Sequence, residues 1–444
     1  MFPLRKGIAM ALTLFAMFLL FVIGMALVSI MMTESRSAVG QLMATKTYYA
    51  ARSGLARALL ELSADYNWGQ NSSTDPDDWT RGNVGDAFYN VKTWASPSNT
   101  GNVYKLWQVT SVGRIGSFKR TLVTWVETES FSKFAYFTDS EKGASGDTIW
   151  FFSRDRLNGN VHTNGYFSIS GNPRFGGRVD SHNDSDSCYK GAYYSQGGGN
   201  YTDPFYFYRY YYGYGYDRPI PIDENSNFSF AGGMPEIPLP KDTGNIKDKA
   251  DYIYNGNVTM VLHNTGAAGY MDVTCGGSTD YNVPISATGT TVYTTGQLTI
   301  SGTLAGRMTI AAKGQITIPN DILYADRARD VLGMVSEGHI VISRNPNQKR
   351  DIEVDAAIMT LNNSFKVNQH DSGVARGTLH IFGGIIQKHR GAVSTFNGAT
   401  GTLATGYAKD YQYDEKLVNL PPPNFPTTGK LRVKAWLDMG SMGQ

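Results

Sequence analysis

Charge is scarce in this chain, and so is cysteine. Only 18% of the 444 residues are charged, against about 25% in an ordinary soluble domain. Forty basic side chains nearly cancel 38 acidic ones, leaving a net charge of +2. No bulk field therefore draws the chain to nucleic acid or anionic lipid, and a partner of that kind needs a local patch. Two cysteines, Cys188 and Cys275, exclude a disulfide-stapled mini-protein and a paired-cysteine zinc site. They leave two readings, one disulfide in an exported protein or two buried thiols. No two of the seven histidines stand at His-x-x-x-His spacing and no Walker loop occurs, so neither a helix-borne zinc site nor a nucleotide-driven motor is expected. Asp180, Asp184 and Asp186 around His182 offer hard oxygen ligands suited to calcium. They lack the Asp-x-Asp-x-Asp-Gly order and a following bidentate glutamate, and read as a solvated loop. No cofactor and no metal is expected.

What the chain does have is unevenly placed. Ile8 to Met32 is a charge-free, proline-free run of 25 residues, about 37 Å as a helix and long enough to cross a hydrocarbon core of about 30 Å. Arg5 and Lys6 precede it and should stay cytoplasmic, with the bulk of the chain outside. The run is too long for the apolar core of a secretory signal. Beyond it, Glu34, Arg36, Lys46, Arg52 and Arg57 alternate with Val39, Leu42, Tyr49, Leu55 and Leu59. An amphipathic helix is expected to continue to about Ser63.

The leader ending Arg5-Lys6-Gly7, the apolar span opening directly after it, and the segment from Tyr48 through Arg52-Ser53-Gly54-Leu55-Ala56-Arg57 to Leu59 together resemble the amino-terminal region of type IV minor pilins of the PilX kind. The resemblance covers about the first 60 residues. It implies cleavage by a prepilin peptidase between Gly7 and Ile8, residence as a single-pass protein in the inner membrane, and assembly with other pilins and minor pilins. Ile8 and Leu12 stand where most filament-building pilins have phenylalanine and glutamate. In the major subunits that glutamate is thought to neutralise a neighbour's terminal ammonium inside an apolar bundle, where an unpaired charge is costly. Its absence points to a tip or initiation subunit. The alternative is a bitopic membrane protein whose leader is never cut.

Asn67 to Asn102, with Pro76, Pro97 and Gly101, reads as loop with at most short strands. Val103–Arg114 and Phe118–Glu127 alternate and form a hairpin across Ile115-Gly116-Ser117. A long helix covered by an antiparallel sheet is an ordinary α+β solution, and also what the resemblance implies. Further on, Gly296-Gln297-Leu298-Thr299-Ile300 recurs as Gly314-Gln315-Ile316-Thr317-Ile318, and more loosely as Gly338-His339-Ile340-Val341-Ile342 and Gly377-Thr378-Leu379-His380-Ile381. One weak rung lies near Ser364 to Val367. Such a rung-like repeat favours a β-solenoid over a sandwich. Pro421-Pro422-Pro423 stiffens a connector to a last strand, Leu431 to Leu437. The expected layout is leader 1–7, helix 8–63, pilin sheet 64–130, inserted β-solenoid 131–420 and return strand 421–444. It is similar to large solenoid-bearing tip pilins of the ComZ kind.

Half of the residues from Tyr193 to Tyr216 are aromatic. Tyr206, Tyr208, Tyr210, Tyr211 and Tyr212 stand beside Arg209 and Arg218, a set that could stack on bases or sugars while the cations meet phosphate. The competing reading is an aromatic flap folded onto the solenoid. Asp351, Glu353 and Asp355 alternate along one strand, about 6.6–7 Å between neighbours, as a polysaccharide-cleaving solenoid would need. A solvated strand face looks the same, and no enzyme activity is expected. The chain reads as a minor pilin at or near a pilus tip on the cell surface, displaying a head for DNA uptake or for adhesion to a surface glycan. The alternative is an uncleaved, membrane-anchored β-solenoid protein that acts on or binds polysaccharide.

Overall fold

A computed structural model describes residues 4–96, 105–149, 151–152, 155–170, 174–183, 189–191, 208–211, 214–217, 230–266, 269–397 and 402–441. The chain divides into two compact units. The first comprises Met1–Pro97, Leu106–Glu127 and Leu431–Gln444, and the second Ser98–Lys105 with Thr128–Lys430.

In the first unit a single helix, α1 (Leu4–Ala64), runs for 61 residues. Its apolar side chains from Met10 to Met32 are exposed, and by length and composition it could cross a membrane. Its later turns instead bury a stripe. Thr47, Ala50, Ala51, Leu55, Ala58 and Leu62 recur every three or four residues and are all buried, the spacing of one helix face. They meet Tyr89, Val91, Trp107, Val109, Leu122 and Val126, which alternate along β2 (Ala87–Ala95), β3 (Leu106–Ile115) and β4 (Phe118–Ser130). The sheet order is β1 (Thr80–Val84), β2, β3, β4 and the return strand Thr427–Ser441.

The expected hairpin of β3 and β4 forms in register from Leu106↔Glu127 to Ile115↔Phe118. The stretch before it holds more than the expected loop with short strands, since β2 runs for 9 residues. It contains β1 and β2, paired antiparallel. Ala87, Tyr89, Val91 and Thr93 alternate inward as a strand requires, a pattern obscured in sequence by apolar Phe88 and Trp94 on the opposite face. Asn90 and Lys92 of that face are held from the other side, Asn90 Nδ2 donating to Asp77 Oδ1 at 3.2 Å and Lys92 Nζ to Ser73 O at 2.7 Å.

With antiparallel pairs at their margins, as between Val258–Asn264 and Gly269–Cys275, most strands described in the second unit are parallel and stack in register along three lines. The longest runs through Tyr252–Tyr254, Thr290–Thr294, Arg307–Ala312, Val331–Ser336, Ile352–Thr360 and Ala375–His389. It then continues through strands made much earlier in the chain, Tyr136–Ser140, Val161–Thr163, Val179–Ser181 and Phe230–Ala231. Its inward ladder reads Val292, Ile310, Met334, Ile358, Ile385, Tyr136, Val161 and Val179, all in one core. Its outward ladder, Tyr293, Ala311, Val335, Met359, Ile386 and Phe137, belongs to a second core with Ile237, Ile246, Leu417 and Phe425. These strands are apolar on both faces because both are covered.

The second line stacks Val258–Asn264, Leu298–Leu304, Ile316–Ile318, Ile340–Ile342 and Phe365–Val367. The repeat at Gly296, Gly314 and Gly338 therefore continues at Phe365, not at Gly377. Leu379–Ile381 lies on the third line, which passes from Ile352–Thr360 through Ala375–His389 to Leu403–Tyr413, Arg156–Asn158 and Arg174–Phe175. The glycine recurs because rungs touch there. A Cβ on Gly314 would lie 2.7 Å from Gly296 O, closer than any side chain tolerates.

Candidate functional site

Gly7 and Ile8 lie within α1. Of the aromatic segment, Tyr208–Tyr211 and Tyr214–Asp217 form an antiparallel pair with Arg209 opposite Tyr216 and Tyr211 opposite Tyr214. Tyr206, Tyr212 and Arg218 lie outside the described residues, as do Asp184, Asp186 and Cys188. Cys275 is half-buried, its Sγ donating to Asn255 O at 3.8 Å.

The carboxylate row is drawn into ion pairs and main-chain contacts. Asp351 Oδ1 accepts from Thr378 N at 2.7 Å, and Arg327 bridges Glu353 and Asp355, reaching Asp355 Oδ1 at 2.8 Å. Asp355 Oδ2 also accepts from Tyr324 N at 2.9 Å. Burial pushes the Asp355 carboxyl up and Arg327 opposes that shift. A carboxylate tied to a guanidinium and a main-chain amide is poorly placed to serve as a general base.

Asp180 is partnered too. It pairs with Arg178 Nε at 2.9 Å and with His162 Nδ1. His162 fills the slot after Phe137 in the outward ladder and stacks on that ring at 5.3 Å, with Nε2 against Asn164 Oδ1 at 3.1 Å. Its neighbours are those of a packed core histidine. Among the described residues, no three His, Cys, Asp or Glu side chains gather as a metal site.

Sequence reasoning missed the cluster with the most unusual burial. Glu141, Arg390, Asp155 and Lys409 meet inside the second unit, where Arg390 Nη1 lies 2.8 Å from Glu141 Oε2 and Lys409 Nζ 2.6 Å from Asp155 Oδ2. The Arg390 guanidinium lies over the Phe151 ring at 3.5 Å. One signal was available: Lys409 alternates with Tyr407 and Tyr411, and both tyrosines point into the core.

Residues 103–188 match the model of a family described as a domain of unknown function, DUF4900. No curated protein matches the chain. Among solved structures, the competence-associated pilin ComZ from Thermus thermophilus aligns over 89% of this chain and 97% of its own, with a TM-score of 0.31 and 13% sequence identity.

Proposed function

We propose that this chain is a minor type IV pilin, anchored by α1, whose second unit is a β-solenoid head carried at or near the filament tip. The observation that carries the reading is the division of α1. One continuous helix presents bare apolar side chains from Met10 to Met32 and buries a stripe from Thr47 to Leu62 against an antiparallel sheet. A helix apolar all round needs lipid or other apolar helices, whereas an amphipathic one needs a single covered face. A subunit stored in a membrane and then packed into a helical filament core needs both. The leader and the Tyr48–Leu59 segment support the same assignment, with prepilin peptidase, other pilins and the inner membrane as partners. The head binds its ligand, DNA or a surface glycan, through the Tyr208–Asp217 hairpin, and we assign it no catalysis.

The test is the amino terminus of the mature protein in cells with a working prepilin peptidase. It should begin at Ile8, and the protein should appear in sheared filaments. Retention of Met1 to Gly7 together with absence from filaments would favour an uncleaved, membrane-anchored solenoid that binds polysaccharide.

A further inference from the structure

The interior of the stacked unit departs from its own apolar pattern along its third line. On the third line the inward ladder runs Ile352, Leu379, Lys409 in register. The next strand pairs Leu157 with Tyr411, which brings Asp155, two residues earlier, opposite Lys409. Two successive slots that the pattern reserves for apolar side chains thus hold an amine and a carboxylate. Their exposures are 10% and 1%, and Nζ stands 2.6 Å from Oδ2. Tyr407, Tyr411, Leu157, Leu379 and Phe151 belong to the same core.

A buried ion pair recovers its desolvation cost poorly, and a low-dielectric interior favours neutral amine and neutral acid over two ions. Burial holds the Lys409 ammonium below its ordinary pKa, and the Arg390 charge adds to that although Asp155 opposes it. Burial likewise pushes Glu141 up, against the pull of Arg390. The cluster holds two cations and two carboxylates, so proton exchange within it changes no net charge.

We propose that Lys409 and Asp155 condense into an intramolecular isopeptide bond. Within the ion pair the proton passes from ammonium to carboxylate. The neutral Nζ attacks Cγ of Asp155 through its lone pair, giving a tetrahedral carbon whose oxyanion is favoured by the positive charge of Arg390, a residue electrostatically coupled to Asp155. The nitrogen then loses a proton, which leaves with the Asp155 hydroxyl as water. One Cγ–N bond forms, one Cγ–O bond breaks, and no oxidant, reductant or co-reactant is needed. Two buried charges become one amide, and the covalent link joins positions 254 residues apart in sequence. Glu141, paired with Arg390 at 2.8 Å, holds that guanidinium in place.

The experiment is the intact mass of the purified full chain, denatured and reduced, with its amino terminus read separately. The mass should be one water below that of the sequence, and a digest should yield a branched peptide joining the Asp155 and Lys409 segments. Lys409→Arg keeps the cation and removes the primary amine, so that variant should show the full mass and no branched peptide. Should the variant fail to fold, the branched peptide from the unaltered chain decides alone. An unaltered chain at full mass, or a missing water mapped to any other pair of peptides, overturns the proposal.

Discussion

Replacing Gly113 by alanine probes how closely the helix and sheet of the first unit approach. A Cβ at that position would lie 2.0 Å from Thr47 O and 2.6 Å from Ala51 N, both main-chain atoms of α1, where ordinary contact begins at 3.4 Å. The helix must back away by about 1.4 Å or the strand must buckle, since neither atom can rotate aside as a side chain would. Overpacking of this kind costs about 1–3 kcal/mol. The upper end applies here, because backing off also loosens Ala51, Leu55, Ala58 and Leu62 against the sheet. A loss of about 3 kcal/mol lowers the melting temperature of a unit this size by about 10 °C. Tryptophan emission of the full chain in detergent reads it selectively, since Trp68, Trp79, Trp94, Trp107, Trp125 and Trp436 of the seven tryptophans belong to this unit. Gly40→Ala is the control. Its Cβ would meet nothing within 4 Å, and alanine in a helix is favoured over glycine by about 1 kcal/mol. If Gly113→Ala melted within about 2 °C of the parent, the close approach would not be a real constraint and the packing argument would fail.

Two further outcomes follow from charge. If the hairpin holds DNA, Arg209→Ala should weaken binding, and binding to the unaltered chain should fall steeply with salt, because released counterions supply much of such affinity; salt-insensitive binding to a sugar, unchanged in Arg209→Ala, would instead identify an adhesive head. In the first unit, Asp438 is held below its ordinary 3.8 chiefly by its hydrogen bond from Arg120. Its contribution is thus present above the unfolded value and lost as pH falls through the folded one. Arg120→Met should flatten the acid limb of the tryptophan melting profile below about pH 4; an unchanged limb would rule that pair out as its source.

How far the fold could be read from sequence depended on whether a pattern was local. The α1 stripe and the β3–β4 hairpin are set by neighbours three to 21 residues apart, and both were legible. The Gly296, Gly314 and Gly338 repeat was legible because stacked rungs place the same residue in the same corner. Gly377 misled, because three lines of strands share one alphabet of alternating apolar residues and only long-range pairing separates them. The outward burial of Val331, Val335, Ala357 and Met359 depends on Phe131, Ile246 and Phe425, distant in sequence, and no periodicity records that. The site was less legible still. The carboxylates at 351, 353 and 355 looked available until Arg327 and Thr378 came into place, and Lys409 acquired meaning only when Asp155 appeared across the ladder.

The order in which the rungs are made differs from the order in which they stack. Tyr136–Ser140 rests on Ala375–His389, and Arg156–Asn158 on Leu403–Tyr413, so the strands that emerge first from a ribosome lack their floor until nearly the whole unit has followed. Contacts this distant in sequence close slowly, and strands left waiting are prone to wrong pairing. The strands from Tyr252 to Thr360 stack in the order in which they are made, so it is the early strands, from Tyr136 to Ala231, whose folding must wait for Ala375–Tyr413. The unit is thus closed by its last-made strands, and its first-made strands form the far end of the stack.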